Sequence, residues 1–160
     1  MITFLVRHGD AGDKRRWDGP DAGRPLSSAG LDQAEGLVLH LEDYPVDRIL
    51  CSPTVRCHQT VQPLASDRLL RIERVAALGV DAGPAEVLAL LWDGRLRNAV
   101  LCTHGETIGQ LLSQLAADGL VTAPLQWPKG STWLLQRTAP RQVRARYLAP
   151  LALGSLMEIG

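Results

Sequence analysis

Apolar runs too short for a helix alternate with longer amphipathic segments along most of this chain. Residues 2–7 are continuously apolar up to Arg7 and are bounded by Gly9 and Gly12, which predicts a buried strand. Residues 10–26 are rich in Gly, Asp, Pro and Arg and carry no period, so they predict a long loop of the functional or mobile kind. Ser27 or Ser28 suits the N-cap of a helix with Leu31, Ala34, Leu37, Val38 and Leu41 on its inner face, ended by Pro45. Residues 48–51 form a second strand, and Pro53 suits the first turn of the helix that follows. Val55, His58, Val61 and Leu64 or Ala65 are expected on the inner face of that helix.

Further along, residues 69–72 predict a third strand, followed by 75–78 and a turn at 79–84. A helix with Val87, Leu88 and Leu91 inward runs to Gly94, and residues 98–102 make a fourth strand. The next helix carries Ile108, Leu111, Leu112, Leu115 and Ala116 on one face and stops near Gly119. Beyond the Pro-rich loop at Pro124 and Pro128, residues 131–136 and 143–148 are strand-like, either as a hairpin or as successive sheet strands. Strands alternating with helices over 2–118 predict an α/β fold: a mostly parallel central sheet covered on both sides, a three-layer α/β/α domain. With no repeat, linker or low-complexity tract, residues 1–160 read as one domain.

Composition narrows the functional classes. The 46% apolar and 21% charged fractions are ordinary for a soluble globular protein. A formal net charge of zero offers no global field for a nucleic-acid polymer or an anionic membrane. The start of the chain reaches Arg7 too soon for a signal-peptide core, and no apolar stretch is long enough to span a bilayer. Cys51, Cys57 and Cys102, an odd set without metal-ligand spacing, read as reduced core thiols of a cytoplasmic protein; no metal is expected.

The chemistry sits at the ends of the strands. Arg7-His8-Gly9 closes the first, Cys51-Ser52-Pro53-Thr54-Val55-Arg56 follows the second, and Thr103-His104-Gly105 closes the fourth. In a parallel sheet these ends share one rim, where ligands bind. Two imidazoles and two guanidiniums without an acidic cluster suit a phosphoryl group. A neutral imidazole at His8 is a competent nucleophile, and Gly9 lets the backbone approach a ligand closely. Arg7 and Arg56 supply permanent planar charge, His104 a further donor, and the helix starts near 54 and 105 supply backbone N–H groups.

These same segments carry a resemblance. Arg7-His8-Gly9, the Arg56 segment ending in Thr60, and Thr103-His104-Gly105-Glu106-Thr107 resemble the histidine phosphatase superfamily, also called phosphoglycerate mutase-like. The short length, Arg24-Pro25-Leu26-Ser27 and Gly30 before Gln33-Ala34 resemble its SixA-like phosphohistidine phosphatase branch. Arg56-Cys57-His58-Gln59-Thr60 and Lys129-Gly130-Ser131-Thr132-Trp133 are similar to the phosphatase-like domain that follows a Nudix domain in some bacterial nucleotide-hydrolysing proteins. The resemblance implies a phosphoglycerate mutase-like fold and a phosphatase without metal or cofactor. It implies that His8 is phosphorylated and then hydrolysed by water, with Arg7, Arg56 and His104 around the phosphate.

The resemblance also implies a carboxylate acid shortly after the third strand. Here the chain reads Leu78-Gly79-Val80-Asp81, so Asp81 is the candidate, one position late and one methylene short. Phosphohistidine, acyl phosphates and anhydrides depend less on such an acid than alkyl esters do. The expected substrate is therefore a phosphohistidine protein or a small phosphorylated metabolite or nucleotide. Lys14 and Arg15, with Arg16, are candidates for steering an anion to the rim, and Lys129 and Ser131 for touching the substrate. The displaced acid also admits a second class, a phosphate-binding or protein-interaction module with weak or lost catalysis; the retained imidazole of His104 favours the enzyme.

Overall fold

A computed structural model describes residues 1–122, 124–140 and 142–151. The strands are β1 (Ile2–Arg7), β2 (Arg48–Cys51), β3 (Ile72–Arg74), β4 (Ala99–Thr103), β5 (Thr132–Ala139) and β6 (Gln142–Leu148). The helices are α1 (Ser28–His40), α2 (Val55–Arg68), α3 (Pro84–Leu91) and α4 (Gly105–Ala117). One six-stranded sheet has the order β3-β2-β4-β1-β5-β6. The β3, β2, β4 and β1 strands run parallel, and β5 lies antiparallel to both β1 and β6. The last two strands therefore form a hairpin that also extends the sheet.

Side-chain alternation divides the core. Phe4, Val6, Ile49, Cys51, Val100 and Cys102 pack with Leu37, Val61 and Leu64 of α1 and α2. Leu5, Leu50, Leu101 and Trp133 pack on the other face with Val87, Leu91, Ile108, Leu111 and Leu115 of α3 and α4. The result is the expected three-layer arrangement. Cys51, Cys57 and Cys102 are buried free thiols, and burial pushes the Cys51 thiol up to about 12.

Local chemistry moves several boundaries from their sequence positions. Ser27, rather than Ser28, caps α1, its hydroxyl accepting from the Gly30 N–H at 3.1 Å. Leu31, assigned to the inner face of α1, is 48% exposed. The third strand starts at Ile72 instead of 69 because α2 continues to Arg68, and Leu69 then takes a left-handed conformation (φ 55°). Asn98 likewise has φ 48°, so β4 begins at Ala99. The helix placed up to Gly94 ends at Leu91, and 75–78 contains a 3-10 turn over Ala76–Leu78. In α2, Val55 and His58 do not form the buried stripe; Arg56, Cys57, Thr60, Val61, Leu64 and Ala65 do. Apolar periodicity chose the wrong phase there because two buried positions, Arg56 and Thr60, are polar.

Candidate active site

The parallel strands end where helices begin, and those junctions deliver the four residues singled out in the sequence. β1 runs into His8, which is 6% exposed; β4 runs into His104, the N-cap of α4, 7% exposed; Arg56, in the first turn of α2, is 3% exposed. The rings of His8 and His104 meet edge to face, with centroids 5.3 Å apart and planes at 64°. Arg7, on the opposite side of β1 from His8, lies over Gly105 at the start of α4. All four stand at the C-terminal rim of the parallel strands or on the helix starts that follow it, with the two imidazoles in contact and Arg7 on the other side of β1.

The two imidazoles are oriented by different partners. His8 Nδ1 lies 2.7 Å from the carbonyl of Gly9, so it carries the proton and leaves Nε2 with its lone pair. His104 Nε2 lies 2.9 Å from Ser52 Oγ, with Cys57 Sγ at 3.8 Å. A Ser52 hydroxyl donating to Nε2 leaves the His104 proton on Nδ1, a donor for an oxyanion. Burial, joined by the charges of His104 and Arg56, lowers the pKa of His8 to about 4. The His8 imidazole is therefore neutral across the physiological range. Burial, more than the Arg56 charge, holds it there.

The two guanidiniums share a mode of attachment. Arg7 Nη1 donates to the carbonyl of Trp127 at 2.8 Å. Arg56 Nη1 donates to the carbonyl of Asp21 at 2.8 Å and Nη2 to Asp21 Oδ2 at 2.9 Å. In both residues Nε is buried and without an acceptor among the described residues. Burial raises the Asp21 carboxyl, but the Arg24 and Arg56 guanidiniums outweigh it and hold the group below its usual value.

Surrounding contacts fix the exit of β1. The Gly9 N–H donates to Thr60 Oγ1 at 3.0 Å, and Thr60 in turn donates to the Arg56 carbonyl at 2.7 Å. The Gly130 N–H, at a residue with φ +83°, is shared between the carbonyls of Arg7 (3.2 Å) and His8 (3.0 Å). Ser131 is buried, and its carbonyl accepts from the Arg7 N–H at 3.0 Å. Lys129 pairs with Asp10 at 3.3 Å. Lys129 and Ser131 thus also buttress the strand exit.

The remaining candidates sit further out. Lys14 and Arg15 lie on an exposed 3-10 turn, where Arg15 pairs with Asp13 at 3.3 Å. No hydrogen bond or ion pair joins Lys14 or Arg15 to the four central residues among the described residues. Asp81 is exposed and lines a cavity of about 470 Å³ together with Ser52, Thr54 and Glu86. Glu106 lines a second cleft, of about 740 Å³, that Arg7, Gly105, Gln110 and Trp127 share. Asp21 and Trp127 carry no motif and were missed as contributors, the Asp21-x-x-Arg24 spacing in a polar loop being the one faint signal for Asp21; Ser52 lay inside the segment after the second strand without a role of its own.

Comparison with known proteins places this geometry. The chain is 37% identical over 154 residues to an 8-oxo-(d)GTP phosphatase of Mycolicibacterium smegmatis, covering 92% of this chain and 48% of that protein. It is 32% identical over 81 residues to an adenosylcobalamin/alpha-ribazole phosphatase of Escherichia coli, covering 49% of this chain and 39% of that protein. The chain thus spans about half or less of the length of these curated relatives. A crystal structure from Agrobacterium tumefaciens, assigned as the phosphohistidine phosphatase SixA, superposes with a TM-score of 0.76 at 26% identity. That match covers 93% of this chain and 98% of the other. Residues 3–95 match the family description "Histidine phosphatase superfamily (branch 1)", and the chain belongs to that superfamily.

Proposed function

We propose that this chain is a metal-independent phosphatase that works through a phosphohistidine intermediate on His8. Its substrate is a phosphohistidine protein or a small phosphorylated metabolite or nucleotide. One observation carries the reading. A neutral imidazole with a free Nε2 stands 5.3 Å, ring to ring, from His104, and at the same rim Arg7 and Arg56 each keep a buried Nε–H without an acceptor among the described residues. Phosphoryl transfer asks a protein for an in-line nucleophile and positive charge around the equatorial oxygens, and little else.

In the first step His8 Nε2 forms a bond to phosphorus as the bond to the leaving group breaks. Arg7, Arg56 and the His104 Nδ1–H hold the equatorial oxygens, and Gly9 leaves room beside the nucleophile. The leaving oxygen of an ester takes a proton from Asp81 and departs as an alcohol; a phosphohistidine or anhydride leaves without that help. Water then attacks phosphorus and gives one proton to Asp81 where that group has lost its own, or otherwise keeps both on the phosphate; the N–P electron pair returns to Nε2, and His8 is neutral again as phosphate departs. Removing one arginine is expected to cost about 3 kcal/mol of transition-state stabilisation. Lys14 and Arg15 steer the anion toward the rim from outside this shell.

The exposure of Asp81 supports the activated end of the substrate range, where an acid matters least. Relatives point both ways within it, one named for an oxidised nucleotide and one for a phosphohistidine. Replacing His8 with Ala, with p-nitrophenyl phosphate as substrate, tests the reading. Turnover and trapping of acid-labile, protein-bound phosphate are expected to vanish together. A variant that keeps turning over would refute the nucleophile, and an inactive parent that still binds phosphate would favour the binding module.

A further inference from the structure

We propose that Asp21 is a positioning residue: it grips the outer edge of Arg56 and so turns the Nε edge of that guanidinium toward the phosphoryl group. The inference rests on the phosphate pocket assigned above. An arginine side chain has many rotamers, and a planar fork recognises an oxyanion only when the correct edge faces it. Both terminal nitrogens of Arg56 end on one residue, Nη1 on the Asp21 carbonyl and Nη2 on its carboxylate. Of the five N–H groups Asp21 takes two; the one two-donor edge left whole is that of Nε–H and the second Nη2 hydrogen, and that Nε is buried without an acceptor among the described residues.

Asp21 is itself held. Its Oδ1 accepts from Arg24 Nε at 3.2 Å, while Arg24 Nη1 donates to the Ala11 carbonyl at 2.9 Å. The same side of α2 pins the chain on either side of Asp21: Thr60 Oγ1 takes the Gly9 N–H, and Gln59 Oε1 takes the Leu26 N–H at 2.8 Å. The polar stretch 10–26 is therefore a strap fastened to the helix that carries Arg56. Asp21 is the point where it touches the guanidinium.

Electrostatics gives the test a sign. Asp21 is an anion beside an anion site, so deleting its charge without moving Arg56 favours phosphate binding. A loss of binding on deletion must come from orientation. Calorimetry with inorganic phosphate, turnover of p-nitrophenyl phosphate and thermal melting are measured for the parent, Asp21→Ala, Asp21→Asn and Asp18→Ala, an exposed change in the same loop.

Asp21→Ala is expected to weaken phosphate binding about 10-fold and to raise KM more than it lowers kcat. Asp21→Asn, which keeps an oxygen acceptor for Nη2, is expected to retain most of the affinity, and Asp18→Ala all of it. Phosphate affinity in Asp21→Ala equal to or above the parent's overturns the proposal. So does an Asp21→Asn variant that melts like the parent yet binds no better than Asp21→Ala. Turnover that survives His8→Ala strikes the phosphatase reading alone, since the phosphate affinities still report on Asp21.

Discussion

His8 and His104 face each other at 5.3 Å with opposite nitrogens restrained, Nδ1 of the first by the Gly9 carbonyl and Nε2 of the second by Ser52. Two adjoining imidazoles are thus held by different partners, one by a backbone carbonyl and the other by a hydroxyl.

The buried imidazole makes folding stability depend on pH. His8 has its pKa lowered to about 4, against 6.5 when unfolded, so the unfolded chain binds the extra proton between those values. Stability is therefore at its full value above pH 6.5 and declines as pH falls toward 4, by about 3 kcal/mol for this one group. Urea unfolding of the parent and of His8→Asn at a series of pH values measures the difference. Parallel stability curves for the two proteins over that window would contradict the burial argument. The same depression implies that any loss of activity near pH 6 follows the second ionisation of the substrate phosphate, whose pKa is about 6, rather than His8.

Gly105 is expected to be intolerant of a methyl group for reasons of function. A Cβ there would stand 2.6 Å from Arg7 Cζ and 2.7 Å from its Nε and Nη2. Arg7 is long enough to swing aside, so Gly105→Ala should fold with a melting temperature near the parent's. The displaced guanidinium should cost about 10-fold to 100-fold in kcat/KM. An unchanged kcat/KM would show that Arg7 does not need its place over the start of α4.

Gly30 offers the opposite case. A Cβ on it would lie 2.0 Å from the Asp10 carbonyl oxygen and 3.0 Å from the carbon, which are main-chain atoms with no rotamer to escape into. That carbonyl already accepts from the Ser27 N–H and Oγ. Gly30→Ala should lose about 1–3 kcal/mol through forced separation of α1 from the chain after His8. Helix propensity alone predicts a gain of about 1 kcal/mol, so the sign of the change in chemical denaturation decides between them.

Much of this architecture is legible in the linear chain because its rules are local. Pro53, Pro84 and the apolar runs ending at Arg7 and Thr103 mark element boundaries, and the motifs at 7–9 and 103–107 mark the rim. What resists reading is polar and non-local. Arg56 and Thr60 disguise the buried stripe of α2, Leu69 and Asn98 adopt left-handed backbone without being glycine, and Asp21 reaches Arg56 across a loop with no period. The Lys129–Asp10 ion pair and the Ser131 carbonyl that takes the Arg7 N–H leave no periodic trace either.

The single amide of Gly130 that serves the carbonyls of both Arg7 and His8 has a kinetic consequence. His8 and the Gly130 amide are about 120 residues apart in the sequence, so an early intermediate built from the first helices alone lacks this clamp on the imidazole. Enzymatic competence on refolding should accordingly arrive late, trailing the recovery of helical ellipticity and keeping half-folded molecules chemically silent.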